Sequence, residues 1–387
     1  MNILLLAPQP FYQDRGTPIA VKLLARTLAR QGHIVHLLVF SEGEDIQLSG
    51  VTIHRHVRLP GLSGIKPGLS AKKLVCDFFL FIKAVSLVRR YDFDLIHAVE
   101  EAVFMALVLQ KVFKIPYVYD MDSCMSVQIV DKFPALGFAR RAMEWPEKAA
   151  ITRSNGVLPV CKSLEDMVRN HAPDTLTTRL EDITLLEKNE DGTEDLRQDL
   201  GIAGTLLMYV GNLEKYQGID LLLAGMREAL NQREDLALVL IGGSEEDLGL
   251  YRARIKELDL DAKVFFCGPR PVTMLAFYLS QADILVSPRT QGNNTPMKIY
   301  SYLDSGKPVL ATDLPTHTQI LDERISCLVE PVAADMSRGI LELAGDAGRR
   351  QKIGMQARQR VADEYSLPAF ERKLRTFYQT LQVRLGI

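Results

Sequence analysis

Residues 287–313, SPRTQGNNTPMKIYSYLDSGKPVLATD, constrain the fold of this chain more than any other stretch. The apolar run ending at Ser287 reads as a buried strand, and residues 309–312 read as a second. Between them the pattern predicts a helix with Thr295 as N-cap, Pro296 at the first helical position and Gly306 closing it. Buried strands joined through a helix make a parallel crossover, which belongs in a sheet covered on both faces. The loop before the helix also carries chemistry. A helix start leaves N–H groups without partners and is positive by its dipole, and Lys298 adds a full charge, so the segment suits a diphosphate.

The same alternation runs through the whole sequence. In the first half, strand-like runs fall at residues 3–7, 34–40, 95–98, 117–120 and 156–160, with helical patterns at 19–31 and 104–113. The second half repeats the scheme at residues 206–210, 237–241, 264–267, 284–287 and 309–312. This is an α/β chain, and 387 residues suit two domains better than one core. The polar stretch 187–195 interrupts the periodicity and marks the boundary. The expected division is 1–185, 186–366 and a terminal helical segment, 367–387.

Composition narrows the partners. A net charge of -2 gives no reason to expect nucleic acid, and 47% hydrophobic with 24% charged residues is ordinary for a globular chain. Five scattered cysteines without a C-x-x-C pair argue against a disulfide framework or zinc cluster and fit a reducing cytoplasm. The opening MNILLLAP lacks the positive start of a signal peptide and reads as the first strand. Residues 72–90 are apolar, but Asp77 and Lys83 interrupt them, so they are too short and too charged to span a bilayer. They read first as a core helix of the first domain. The other reading is a basic amphipathic helix lying on the inner face of the cell membrane.

Pro296 and Lys298 at the helix opening, Tyr302 within it and Gly306-Lys307-Pro308-Val309 after it resemble the donor-binding segment of retaining GT-B glycosyltransferases, the family 4 group. The resemblance implies two Rossmann-like parallel-sheet domains facing across a cleft. The acceptor would lie on the first domain and the donor on the second, and the last helix would cross back to the first. It implies metal-independent transfer, with retention, from a nucleotide sugar of UDP or GDP type to a hydroxyl of a glycan or lipid-linked acceptor. No cofactor beyond the donor is implied, and polysaccharide or cell-envelope assembly is the setting. The chain also departs from the pattern. The family's two Glu positions fall on Asn293 and Ser301, and its Arg and Lys positions on Asn212 and Gln217. These departures keep open a catalytically weak homologue that binds a nucleotide sugar or a partner, and a GT-B epimerase.

Ligands of open parallel sheets bind outside the carboxyl ends of the strands, so the loops there supply the candidates. After the first strand, Gly16 precedes a helix and permits close backbone approach. His97 at a strand end reads as structural, with Glu100 and Glu101 just beyond it as candidates for a sugar hydroxyl. In the loop 119–124 the family's His position falls on Asp122, the candidate catalytic residue, which reads otherwise as a helix cap. Asp120-Met121-Asp122 lies in the wrong domain to hold a donor metal, so no metal site is assigned. In the second half, Gly211, Asn212, Lys215 and Gln217 form the loop after the first strand, and Gly243 the next. Arg289, Asn293, Asn294, Thr295, Lys298 and Ser301 complete the expected donor site.

Overall fold

A computed structural model describes residues 1–13, 16–58, 61, 64–65, 70–124, 140–186 and 192–387. The chain forms two compact units, Met1–Glu181 with Glu371–Ile387, and Asp182–Phe370.

Unit one is built on a six-stranded sheet: β1 (Asn2–Leu6), β2 (Ile34–Val39), β3 (Val51–Arg55), β4 (Leu95–Val99), β5 (Tyr117–Met121) and β6 (Gly156–Pro159), ordered β3-β2-β1-β4-β5-β6. All pairings are parallel. The inner strands are buried on both faces, which is why β1 and β4 read as unbroken apolar runs. Helices α1 (Gly16–Arg30), α2 (Ala71–Val88) and α3 (Ala102–Phe113) follow β1, β3 and β4. Each fully buried Leu or Ile of such a core contributes about 1.5–3 kcal/mol.

Unit two repeats the order. Its strands are β7 (Thr205–Val210), β8 (Leu236–Ile241), β9 (Val264–Gly268), β10 (Ile284–Ser287), β11 (Val309–Thr312) and β12 (Cys327–Val329), arranged β12-β11-β10-β7-β8-β9. Counted within each unit, both sheets run 3-2-1-4-5-6, the doubly wound order, with the switch between the first and fourth strands. Of the four edge strands, β3 and β12 were not expected. β3 has no fully buried residue and β12 has three residues, so neither presents an apolar run.

Two expectations change at residue level. The helix expected from Pro296 is Lys298–Asp304, with Met297 before it and no side-chain cap. Ile299 N donates to Pro296 O at 2.9 Å and Tyr300 N to Met297 O at 3.2 Å, so a tight turn leads into the helix. Thr295 therefore caps nothing: its Oγ1 is buried with no hydrogen-bond partner. Gly306 does sit beyond the helix end, at φ 74°.

The segment 72–90 lies in α2, capped by Ser70, whose Oγ accepts from Lys73 N at 3.2 Å. One face buries Cys76, Leu80, Ala84 and Leu87. The other exposes Leu74, Val75, Phe78 and Ile82, with Phe78 60% exposed. Among the described residues, no helix is long and apolar enough to cross a membrane.

Candidate active site

In unit two the candidate residues gather where β7 and β10 end. Gly211 follows β7 at φ 150°, and a Cβ there would lie 2.6 Å from Lys298 Nζ, so the lysine packs against bare backbone. Lys298 Nζ reaches Gln217 Oε1 at 3.3 Å and lies 3.9 Å from the centre of the Tyr209 ring. Tyr209 is held in turn by donating to Asn212 O at 2.5 Å. Gly218, at φ 75°, begins helix Ile219–Leu230, and its Cβ would lie 1.9 Å from Pro288 O. Only glycine brings this loop so close to the end of β10.

Arg289 supplies the second cation. Its Nη1 donates to Asn294 O and Thr316 Oγ1, both at 2.9 Å, its guanidinium lies 5.0 Å from the Tyr216 ring centre, and its buried Nε has no partner. His317, fully buried, joins Ser287 Oγ at 2.9 Å and Thr312 O at 2.9 Å, tying β10 to β11 beneath the Arg289 loop. Burial pushes its pKa down to about 4, so the ring is neutral at pH 7. Burial also holds Lys298 well below the usual lysine range, with the Arg289 charge adding to the effect, and burial lowers Arg289 as well. Neither cation has a carboxylate ion pair among the described residues. Two half-buried basic side chains with no carboxylate ion pair among the described residues, beside the buried hydroxyl of Thr295, form a setting that suits an anion.

The remaining expected residues separate. Ser301 is 0% exposed and its Oγ accepts from Leu185 N at 3.0 Å, so the hydroxyl is engaged inside unit two and offers no surface to a nucleotide. Asn293 is exposed, its carbonyl accepting from Gln319 Nε2 at 2.8 Å, and Asn294 lines the Arg289 loop through its carbonyl. Lys215 and Asn212 are exposed loop residues. At Gly243, φ 84°, a Cβ would lie 2.6 Å from Leu213 Cδ1, bringing the β8 loop against the β7 loop.

In unit one, Gly16 begins α1 with nothing within 4 Å of a Cβ among the described residues. His97 is fully buried: Nε2 faces Asp120 Oδ2 at 3.2 Å and Nδ1 faces Tyr378 Oη at 2.6 Å. A carboxylate only accepts, so Nε2 donates to Asp120. This histidine is structural, tying β4 to the terminal helix Leu367–Leu385. Glu100 stands at φ 50° at the end of β4, its N–H donating to Asp120 O at 2.9 Å. Burial, then the Glu101 charge, raise its carboxyl to about 7. Glu101 pairs with Lys73. Asp122 follows β5, partly exposed, and the segment after residue 124 lies outside the described residues.

Sequence reasoning missed Tyr209, Tyr216, Thr316 and His317. Two are aromatics in the loop already suspected. The other pair follows β11, and position at a strand's carboxyl end was the signal that could have found them.

Residues 193–360 match the family described as Glycosyl transferases group 1, and residues 15–177 match Glycosyltransferase Family 4. The chain belongs to the group 1 glycosyltransferases, enzymes of the transferase class, and has the GT-B fold. D-inositol 3-phosphate glycosyltransferase of Corynebacterium aurimucosum is 25% identical, over 94% of this chain and 90% of that one. Its counterpart in Corynebacterium kroppenstedtii is 26% identical over 51% of this chain and 46% of its own length. Among solved structures, sucrose-phosphate synthase of Thermosynechococcus elongatus superposes with a TM-score of 0.79 at 20% identity, over 99% of both chains. HepE of Anabaena, solved with UDP, has a TM-score of 0.77 at 15% identity, over 98% of this chain and 100% of its own.

Proposed function

We propose that the chain transfers a glycosyl group, with retention, from a UDP- or GDP-type sugar to a hydroxyl of a glycan or lipid-linked acceptor. One observation carries the reading: Lys298 and Arg289 stand half-buried beside Gly211 with no carboxylate ion pair among the described residues, and burial presses both pKa values down. A diphosphate supplies the counter-charge for both. As the bond from the anomeric carbon to the diphosphate oxygen breaks and a bond to the acceptor oxygen forms, negative charge grows on the diphosphate. Both cations stabilise that charge, so they lower the barrier as well as binding the donor. No metal is needed for this step. Asp122 accepts a hydrogen bond from a sugar hydroxyl on unit one. That a similar fold was solved with UDP-glucose supports the choice of donor class.

The test is incubation with labelled UDP- and GDP-sugars in the presence of glycan and lipid-linked acceptors. Release of nucleoside diphosphate with labelled product in the retained anomeric form is expected. A converted sugar without diphosphate release would replace transfer by epimerisation, and binding without either would leave a silent homologue.

The exposed apolar face of α2 favours a lipid-linked acceptor at a membrane surface. Leu74, Val75, Phe78 and Ile82 face solvent, and Lys72, Arg89 and Arg90 are exposed on the same helix or at its end. Apolar contact with cationic flanks suits an anionic bilayer. Flotation with phosphatidylglycerol vesicles should recover the protein, and Phe78→Glu should release it. Equal recovery of both would remove the membrane from the proposal.

A further inference from the structure

The opposite end of the second sheet holds a cavity of about 530 Å³, remote from the loops discussed above. It lies at the amino ends of the strands: Thr205 begins β7, while Asp235, Asp283 and Lys307 come just before β8, β10 and β11. Its volume is within the range of small-molecule sites, roughly 300–1,000 Å³.

The charges lining it do not cancel. Asp283 already pairs with Arg197 and accepts from Leu206 N at 2.8 Å. Asp235 is held by Arg233 through two bonds of 2.6 and 2.9 Å. That leaves two cations. Lys307 is half-buried, and its ammonium has no hydrogen-bond partner among the described residues. Arg350 spends Nη1 on the carbonyls of Leu343 and Ala344, at 2.6 and 3.0 Å, the last turn of helix Ala333–Gly345. Its Nε and Nη2 have no partner among the described residues. Thr205 is only 7% exposed and lines the same cavity, and its hydroxyl is likewise without a partner among them. Burial lowers the pKa of Lys307 and the Arg197 charge adds to this, while the Asp283 carboxylate offsets part of the shift. An ammonium, a guanidinium edge and a hydroxyl that line one cavity are donors of the kind that bind the oxygens of a phosphoryl group.

We propose that this cavity binds a phosphate ester, as a second anion site separate from the one at Lys298. The ester, rather than free phosphate, follows from the volume, which leaves room for an organic group beside the phosphoryl oxygens. The site owes nothing to the donor reading, because it shares no residue with it.

Calorimetric titration of the full chain with glucose 6-phosphate and with inorganic phosphate tests the proposal. The ester should bind, and Lys298→Ala should leave its Kd unchanged. Lys307→Met should raise that Kd at least about tenfold, the loss expected for a hydrogen bond to a charged group. Lys307→Arg, which keeps the charge, should stay within about threefold of the parent. Melting curves for each variant establish that it is folded. An unchanged Kd in folded Lys307→Met overturns the site, and so does a parent Kd weaker than about 10 mM. Loss of binding in Lys298→Ala would move the anion to the donor loops, and equal affinity for inorganic phosphate would overturn the ester.

Discussion

The two units share one strand order, yet the described candidate residues at the carboxyl ends of their sheets differ in charge. In unit two, Lys298 and Arg289 stand without a carboxylate ion pair among the described residues, and their loops are shaped by glycines and tyrosines. In unit one, Glu100, Glu101, Asp120 and Asp122 crowd the same topological place, with Lys73 as the cation paired among them. A doubly wound sheet specifies where a ligand can sit, and the loop residues decide which ligand. A cationic end suits a diphosphate. An acidic end suits hydroxyl groups, which donate to carboxylates.

The sharpest way to break this contrast is at its acidic end. Asp122→Asn keeps the size and capping ability of the side chain but removes the carboxylate, and turnover should fall about a hundredfold. Intact turnover would reduce Asp122 to a cap. At the cationic end, Lys298→Ala should weaken UDP or GDP binding by about 1.5–3 kcal/mol, measured by calorimetry. Unchanged affinity would leave the two ends without the proposed difference. Next comes Ser301→Ala, which should cost about 1 kcal/mol in chemical denaturation, because Leu185 N loses its acceptor, while leaving nucleotide affinity alone. An effect on affinity instead would return Ser301 to the donor site.

A pH series sharpens the comparison. The Glu100 carboxyl is raised to about 7 by burial and Glu101, with Asp120 adding to the shift and Lys73 and Ser123 opposing it. A carboxyl raised in the folded state binds its proton more tightly there than in the unfolded chain. Stability therefore falls as pH rises from the ordinary carboxylate range, near 4.5, through about 7. Asp77, also raised to about 7, contributes in the same direction. Glu100→Gln should flatten the slope of melting temperature against pH over that window, and an unaltered slope would assign it elsewhere. The smallest expected effect is at Lys215. It is exposed and screened by solvent, so Lys215→Ala should change nucleotide binding by less than about 0.5 kcal/mol.

The inner strands were legible because burial on both faces writes them as continuous apolar runs. β3 and β12 were not, since β3 is half-solvated and β12 has three residues, so neither leaves such a run, whereas the other edge strands β6 and β9 do. The position of Lys298 at the opening of its helix was legible through motif spacing. The capping reading of Thr295 failed because a Thr-Pro pair before a helix fits a tight turn as well as a cap, and sequence does not separate them. Ser301 was misplaced for another reason: alignment to a Glu position assumes that a shorter side chain points to the same ligand, whereas the hydroxyl found a backbone N–H nearby. Tyr209 and Tyr216 matter through space, by standing against cations distant in sequence, and no local pattern encodes that.

The hydrogen bond between His97 and Tyr378 joins residues 281 apart. Its consequence is temporal. Everything from Asp182 to Phe370 belongs to the second unit and leaves the ribosome before Tyr378 does. The second unit can thus close while the first still lacks its terminal helix. Until that helix arrives, β4 and β6 keep the surface that Tyr378 and Phe377 later cover, a sticky interval in the life of each nascent chain.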